Sequence, residues 1–313
     1  MALALLSTLN SQLSTVRAQG SLTPPGAPAP TMKTADQIYS KLDPRTPISS
    51  APFNITKSGS YYLTTNLTVS SLSDGIDINA NNVTLDLNGF AIQGVPGSAN
   101  GIVVFISSPI NIIVRNGTIS GCGMLGVQCG AGGNSVVLEH LNVYACGEYG
   151  ISVIGTAVVR DCNCCSNSNS GISVGGGIVS GCSAQNNLSD GIRITGGTVS
   201  GCFSQANKGA GINCNGNGGE AIGNTCIGNA TGISIGGSDN RVEDNHITAS
   251  GSAGISVPSD NSFDNIIIKN SVQGSGSSNY TGPGISSGGN VVGPFITAEG
   301  TITSVNPWAN FSF

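Results

Sequence analysis

Short apolar triplets with a polar centre recur along the chain, as in Ile151-Ser152-Val153, Ile172-Ser173-Val174, Ile192-Arg193-Ile194 and Ile233-Ser234-Ile235. Such alternation turns the two outer side chains to one side of a strand and the middle one to the other. Each of these triplets follows a glycine. Gly75, Gly101, Gly126, Gly150, Gly171, Gly191, Gly211, Gly232, Gly254 and Gly284 all precede Ile or Val, at spacings of 26, 25, 24, 21, 20, 20, 21, 22 and 30 residues. This period is too short for a βαβ unit and too long for a hairpin, but it suits one coil of a solenoid built from strands and turns. A second apolar column reads Val83, Val114, Val159, Val179, Val199 and Val242. A small or polar turn position follows it, occupied by Cys162, Cys182, Cys202, Asn224, Asn245 and Asn270, so that like stacks on like. Stacked Asn side chains can hydrogen-bond along such a ladder and stacked Cys can fill a narrow corner. No proline falls between Pro109 and Pro258, as expected of strands whose N–H groups are all used by neighbouring rungs. The pattern predicts an all-β fold, a single-stranded right-handed parallel β-helix of about ten rungs, on the order of 50 Å long. Its hand follows from the general preference of parallel strand connections.

The solenoid is expected to occupy residues 51–300, between an N-terminal arm (1–50) and a C-terminal cap (301–313). In the arm, Leu6, Leu9, Leu13 and Val16 fall at heptad spacing and suit an oligomerising helix. The same stretch also reads as the remnant of an export signal, with Ala2–Leu6 as its apolar part and a cut after Ala18. Pro24, Pro25, Pro28 and Pro30 make an extended stretch, and Thr34-Ala35-Asp36-Gln37 resembles a capping box opening a helix to about Leu42. At the far end Trp308, Phe311 and Phe313 are placed to cover the last coil, whose backbone would otherwise be open to other chains.

From about Gly20 the chain resembles a group of exported right-handed β-helix repeat proteins of environmental bacteria, pectin-lyase-like in fold and mostly without assigned activity. The resemblance is carried by Gly20-Ser21-Leu22-Thr23-Pro24-Pro25-Gly26-Ala27-Pro28, Pro44-Arg45-Thr46-Pro47-Ile48 and Gly59-Ser60-Tyr61-Tyr62-Leu63. Val83-Thr84-Leu85-Asp86-Leu87-Asn88-Gly89-Phe90 and the Asn306-Pro307 ending complete it. It implies a secreted or cell-surface location and supplies no catalytic residues.

Composition narrows the function classes. Glycine makes up 47 of 313 residues without a three-residue period, which excludes collagen, and 38% hydrophobic residues with a net charge of -5 argue against disorder. Eleven basic residues spread thinly give no footprint for nucleic acid, and no apolar run approaches a membrane span. The ten cysteines are expected to be mainly buried thiols, because Cys162, Cys182 and Cys202 stack three in a row and cannot all pair. Cys129 and Cys214 take inward places held elsewhere by Val and Ile. In Asp161-Cys162-Asn163-Cys164-Cys165 alternation sends the thiols to different faces with no His near, so neither metal nor cofactor is expected.

The outward residue of each triplet reads Asp77, Val103, Gln128, Ser152, Ser173, Arg193, Asn213, Ser234, Ser256 and Ser286, with one acid and one base about five rungs apart. The densest charged stretch is Asp239–His246. There Arg241 and Glu243 share an outward face, with His246 around the turn, and together they form either a solvated ion pair with an exposed His or a catalytic group. Glu139 and His140 read as a surface pair. The leading expectation is a structural or surface-binding protein that self-associates into a trimer or an end-to-end fibre. The alternatives are a polysaccharide lyase or glycoside hydrolase, and a non-catalytic glycan-binding module.

Overall fold

In a computed structural model, the described residues are 43–130, 135–285, 289–296 and 306–312. Leu6, Leu9, Leu13 and Val16, the proline-rich stretch, the helix ending near Leu42, Ser286 and Phe313 lie outside them. Contacts divide the chain into Met1–Pro44 and Arg45–Phe313. The second unit is a right-handed parallel β-helix with three strand faces. Its first face runs from Phe53–Ile55 through Ile76–Ile78 and onward to Ser278–Thr281. Ten successive parallel pairings join eleven strands there, one more than expected. At about 4.8 Å per rung the face is roughly 50 Å long.

The triplets behave as the alternation requires. Ile151, Ile172, Ile192, Ile212 and Ile233 stack in register and are fully buried. Each such side chain contributes about 1.5–3 kcal/mol on leaving water. The central residues Asp77, Val103, Gln128, Ser152, Ser173 and Arg193 stand in one outward column, so Asp77 and Arg193 are five rungs apart. Val103 is nevertheless buried. The final member of the Gly series differs from expectation. Gly284 lies in a 3-10 turn, Pro283–Ile285, while Ser278–Thr281 forms that rung's strand with Thr281 in the outward place. The motif had lost its glycine there, because Asn279 stands where the neighbouring rung has Gly254. The Val column also needs one correction: Leu85, not Val83, aligns with Val114, and Val83 pairs with Ile112 one inward place earlier. Both places have the same two-residue parity, so alternation alone cannot separate them.

Two corner ladders set the register of the rungs. In the first, the amide N–H of Cys202 donates to Asn224 Oδ1 (2.9 Å), and the Asn224 amide and Nδ2 both donate to Asn245 Oδ1. Asn245 uses Asn270 in the same way, and Asn270 uses Asn310. Cys162, Cys182 and Cys202 continue this column, their thiols donating to Leu138, Val159 and Val179 carbonyls at 3.6 Å, the role that Asn224 Nδ2 plays toward Val199. The residue before each ladder position turns the corner in the left-handed region, as at Asp161, Gly181, Gly201, Gly223, Asp244 and Lys269.

The second ladder was not read from the sequence. It runs through Cys122, Cys146, Asn167, Asn187, Asn207 and Asn229. Asn207 Oδ1 accepts from Asn187 N and Nδ2 (3.0 and 2.9 Å), while Asn207 N and Nδ2 donate to Asn229 Oδ1. This ladder explains the glycine in the middle coils, at Gly150, Gly171, Gly191 and Gly211, whereas elsewhere an aliphatic side chain takes the same place, as Val143 does 2.3 Å from a Cβ on Gly126. A Cβ on Gly211 would stand 2.7 Å from both Asn229 Nδ2 and the Gly232 carbonyl. The repeat glycines are required by this close approach rather than by a turn.

At the C-terminus, Asn310–Ser312 forms a parallel strand against Ser271–Gln273 and Asn310 ends the first ladder. Of the aromatic residues expected to cover the last coil, Trp308 is 50% exposed and Phe313 lies outside the described residues, while Asn310 Nδ2 donates to the Ile267 and Gly293 carbonyls at the rung end.

Replacing Asn207 by Ala should lower stability by about 3 kcal/mol in urea unfolding, since several buried partners lose a hydrogen bond at once. Cys202→Asn, which extends the existing ladder, should leave the midpoint unchanged or raised. All ten cysteines are free and only Cys165 is not buried. A thiol reagent should therefore modify one cysteine in the native protein and ten in denaturant, as read by intact mass.

Candidate functional site

The second face runs from Thr46–Ile48 through Gly59–Leu63 and Val83–Asp86 and onward to Arg241–Glu243, Ile266–Ile268 and Val291–Val292, and its charged groups collect in two places. Toward its start, Asp86, Arg115, Glu139 and Arg160 hold the same outward position in four successive rungs. Arg115 Nε lies 3.2 Å from Asp86 Oδ2, and Arg160 Nε donates to Glu139 Oε2 at 2.8 Å. Arg45 adds to this end, stacking on Tyr62 at 4.3 Å and reaching Asp86 Oδ2 at 3.9 Å. Glu139 is thus largely buried in arginine contacts and is not the partner of His140. His140 lies beside Asp161 instead (3.9 Å), because both occupy the left-handed corner position of adjacent rungs.

The second group, at the other end, has the shape of a binding site. Register places Arg241, Ile266 and Val291 in one outward column, with Glu243 and Ile268 in the next. The chain then returns through Gly293-Pro294 and Asn306–Trp308 to stand over these columns, leaving a cleft of about 430 Å³. Its floor is aliphatic, from Ile266, Ile268, Val291 and Val292, and Arg241 and Trp308 form polar and aromatic walls. Lys269, on the corner position, sits 4.9 Å from the Trp308 ring centroid. The volume lies within the range of small-molecule sites.

Glu243 organises the cations. Its side chain is only 10% exposed, in contrast to the solvated pair expected, because Arg241 and Lys269 both pack on its carboxylate. Lys269 Nζ donates to Oε1 at 2.7 Å and Arg241 Nε to Oε2 at 2.6 Å, with Arg241 Nη2 on the same oxygen. The Lys269 hydrogen bond, acting with the Arg241 contacts and against burial, holds the Glu243 carboxyl below its ordinary range. Arg241 keeps the rest of its five donors for the cleft. On the neighbouring rung, Glu220 lies beside Arg241 in register and accepts the Thr198 hydroxyl at 2.9 Å.

Of the residues singled out from sequence, Arg241 and Glu243 meet. His246 does not join them: it is exposed on the third face, in register with Thr225 and Ser271. A strand residue directly past the corner belongs to a different sheet, so proximity in sequence misleads here. Lys269 and Trp308 were missed. Lys269 carried a signal, since it is one rung beyond Asp244 in the corner column, whereas Trp308 arrives from a returning segment outside the repeat.

No family model matches the chain, and no curated protein matches its sequence. Among solved structures it resembles a single-residue mutant of the periplasmic alginate epimerase AlgG, at a TM-score of 0.53 and 13% identity, covering 78% of this chain and 75% of that one. It also resembles the ORF18 protein of Geobacillus virus E2, at a TM-score of 0.54 and 12% identity. That match covers 75% of this chain and 52% of the phage protein, so the chain spans about half of that relative's length. At such identities these likenesses establish the right-handed parallel β-helix fold and nothing finer.

Because its folded-state pKa is depressed, Glu243 adds stability at neutral pH that disappears as pH falls below the ordinary carboxylate value of 4.5. Thermal melts of wild type and Glu243→Gln between pH 7 and pH 3 should show the wild type losing more of its melting temperature. Parallel curves would remove the role assigned to this carboxylate.

Proposed function

We propose that this protein is an extracytoplasmic, surface-binding β-helix that takes a saccharide segment in the Arg241–Trp308 cleft without cleaving it. The observation that carries this reading is the half-exposed Trp308 ring beside the Arg241 guanidinium over an aliphatic floor. An aromatic face matches the C–H side of a sugar ring, and a guanidinium offers paired donors to hydroxyl or carboxyl oxygens. The fold shared with a periplasmic alginate epimerase supports a setting in which polysaccharides are met.

The cleft favours binding over hydrolysis. Glycoside hydrolysis needs one carboxyl group held protonated as a general acid. Glu243 is shifted in the opposite direction and is tied to both cations. Among the described residues the one carboxyl with a raised pKa is Asp77, shifted by burial and then by Asp74, and it stands at the other end of a different face.

Calorimetry and a glycan array with the full chain provide the test. Binding to a polysaccharide is expected, with at least tenfold weakening in Trp308→Ala and in Arg241→Ala and no release of reducing ends or unsaturated sugars. Absence of binding, or affinity unaffected by either substitution, would overturn the reading. Bond cleavage lost in Glu243→Gln would replace it with the enzymatic alternative.

A further inference from the structure

The second face also carries a pattern that its own chain leaves unused. Ile113, Val137, Val158 and Ile178 hold one outward position in four successive rungs, an aliphatic stripe on the outside of the solenoid. Ile178 is 46% exposed, and Ile154, at the strand approach to Val158, is 62% exposed. Two residues further along, on the same face and starting one rung earlier, runs the row Asp86, Arg115, Glu139 and Arg160, with Ser180 in the place beside Ile178. Charge therefore alternates rung by rung beside the apolar stripe. The carboxylates are 10% exposed, but the guanidinium side chains of Arg115 and Arg160 are 39% and 51% exposed.

Consider two such faces brought together by a two-fold axis lying between them, perpendicular to the solenoid axis. This operation keeps each column opposite itself and reverses its direction. Apolar stripe then meets apolar stripe, and the central Glu139 and Arg160 of the charge row meet their own reversal, with Arg115 opposite the partner's Ser180. With the axis between the Val137 and Val158 rungs, Ile113 faces the partner's Ile178, Val137 faces the partner's Val158, and Glu139 faces the partner's Arg160. A parallel, in-register arrangement would set like charge against like. An isologous interface requires this kind of self-complementarity, and burying methyl groups provides its driving force.

We propose that a second copy of this chain docks antiparallel on this face, through Ile113, Val137, Val158 and Ile178, with the charge row fixing direction and register. The dimer is separate from the saccharide cleft at the far end of the same face, and from any association through the N-terminal arm.

Light scattering with size-exclusion chromatography, and sedimentation on the full chain, would test this. A dimer is expected, and Ile178→Lys should weaken it at least a hundredfold while leaving the far-UV spectrum unchanged. Ser173→Lys, on the first face, should not affect it. The double exchange Glu139→Arg with Arg160→Glu should dimerise with itself but not with wild type, an outcome that general loss of folding cannot imitate. The proposal is overturned if the wild type is monomeric at tens of micromolar. It is equally overturned if Leu9→Asp with Leu13→Asp abolishes the dimer while Ile178→Lys retains it, or if the exchanged and wild-type chains mix freely.

Discussion

One side-chain oxygen with two donors on it holds this solenoid together. In each ladder the Oδ1 of an asparagine accepts both the main-chain amide and the side-chain Nδ2 of the asparagine one rung before, as Asn207 does for Asn187. The amide so used cannot bond to a strand neighbour, because the chain is turning a corner in the left-handed region just before it. Buried and unpaired, it would be a recurring penalty at every coil. The ladder removes that penalty and ties register to the same contact, since a slip of one residue would break two bonds per rung. The narrow corner, the adjacent glycine and the 20-residue coils around Gly171, Gly191 and Gly211 all follow from this pairing.

Much of the architecture was legible because a solenoid repeats its environment. Ile172, Ile192 and Ile212 occupy equivalent sites, so a period in sequence is a column in space. The first ladder was readable for that reason. The second carried an equally regular signal, a Cys, Asn or Ser commonly four residues before the Gly of each rung, as in Asn187 and Gly191. The glycine beside it gives no local hint of the ladder. Its true constraint is steric and comes from the neighbouring rung. Such a constraint has no expression in local sequence.

The cleft was less legible, for a different physical reason. Arg241 and Glu243 could be set on one face by alternation, but the site's character depends on Lys269 and Trp308, which come from the next corner and from a segment that departs from the repeat. Periodic reasoning is weakest where periodicity ends. The charge row of the second face was missed differently: Arg115, Glu139 and Arg160 are each followed by a corner residue, and their alternation is visible only once the rungs are aligned.

The buried thiols have a consequence for how the protein copes with oxidants. Burial pushes Cys129, Cys214 and Cys226 up to about 12. At neutral pH such thiols stay protonated, and thiolate is the species that reacts. Apart from the partly exposed Cys165, the thiols of the folded chain are shielded from disulfide exchange by burial, without any reductant. The nascent chain, with ten accessible thiols, is not. Its integrity in an oxidising compartment would be decided by a race between coil closure and disulfide formation, won by the speed of stacking rather than by the final stability of the stack.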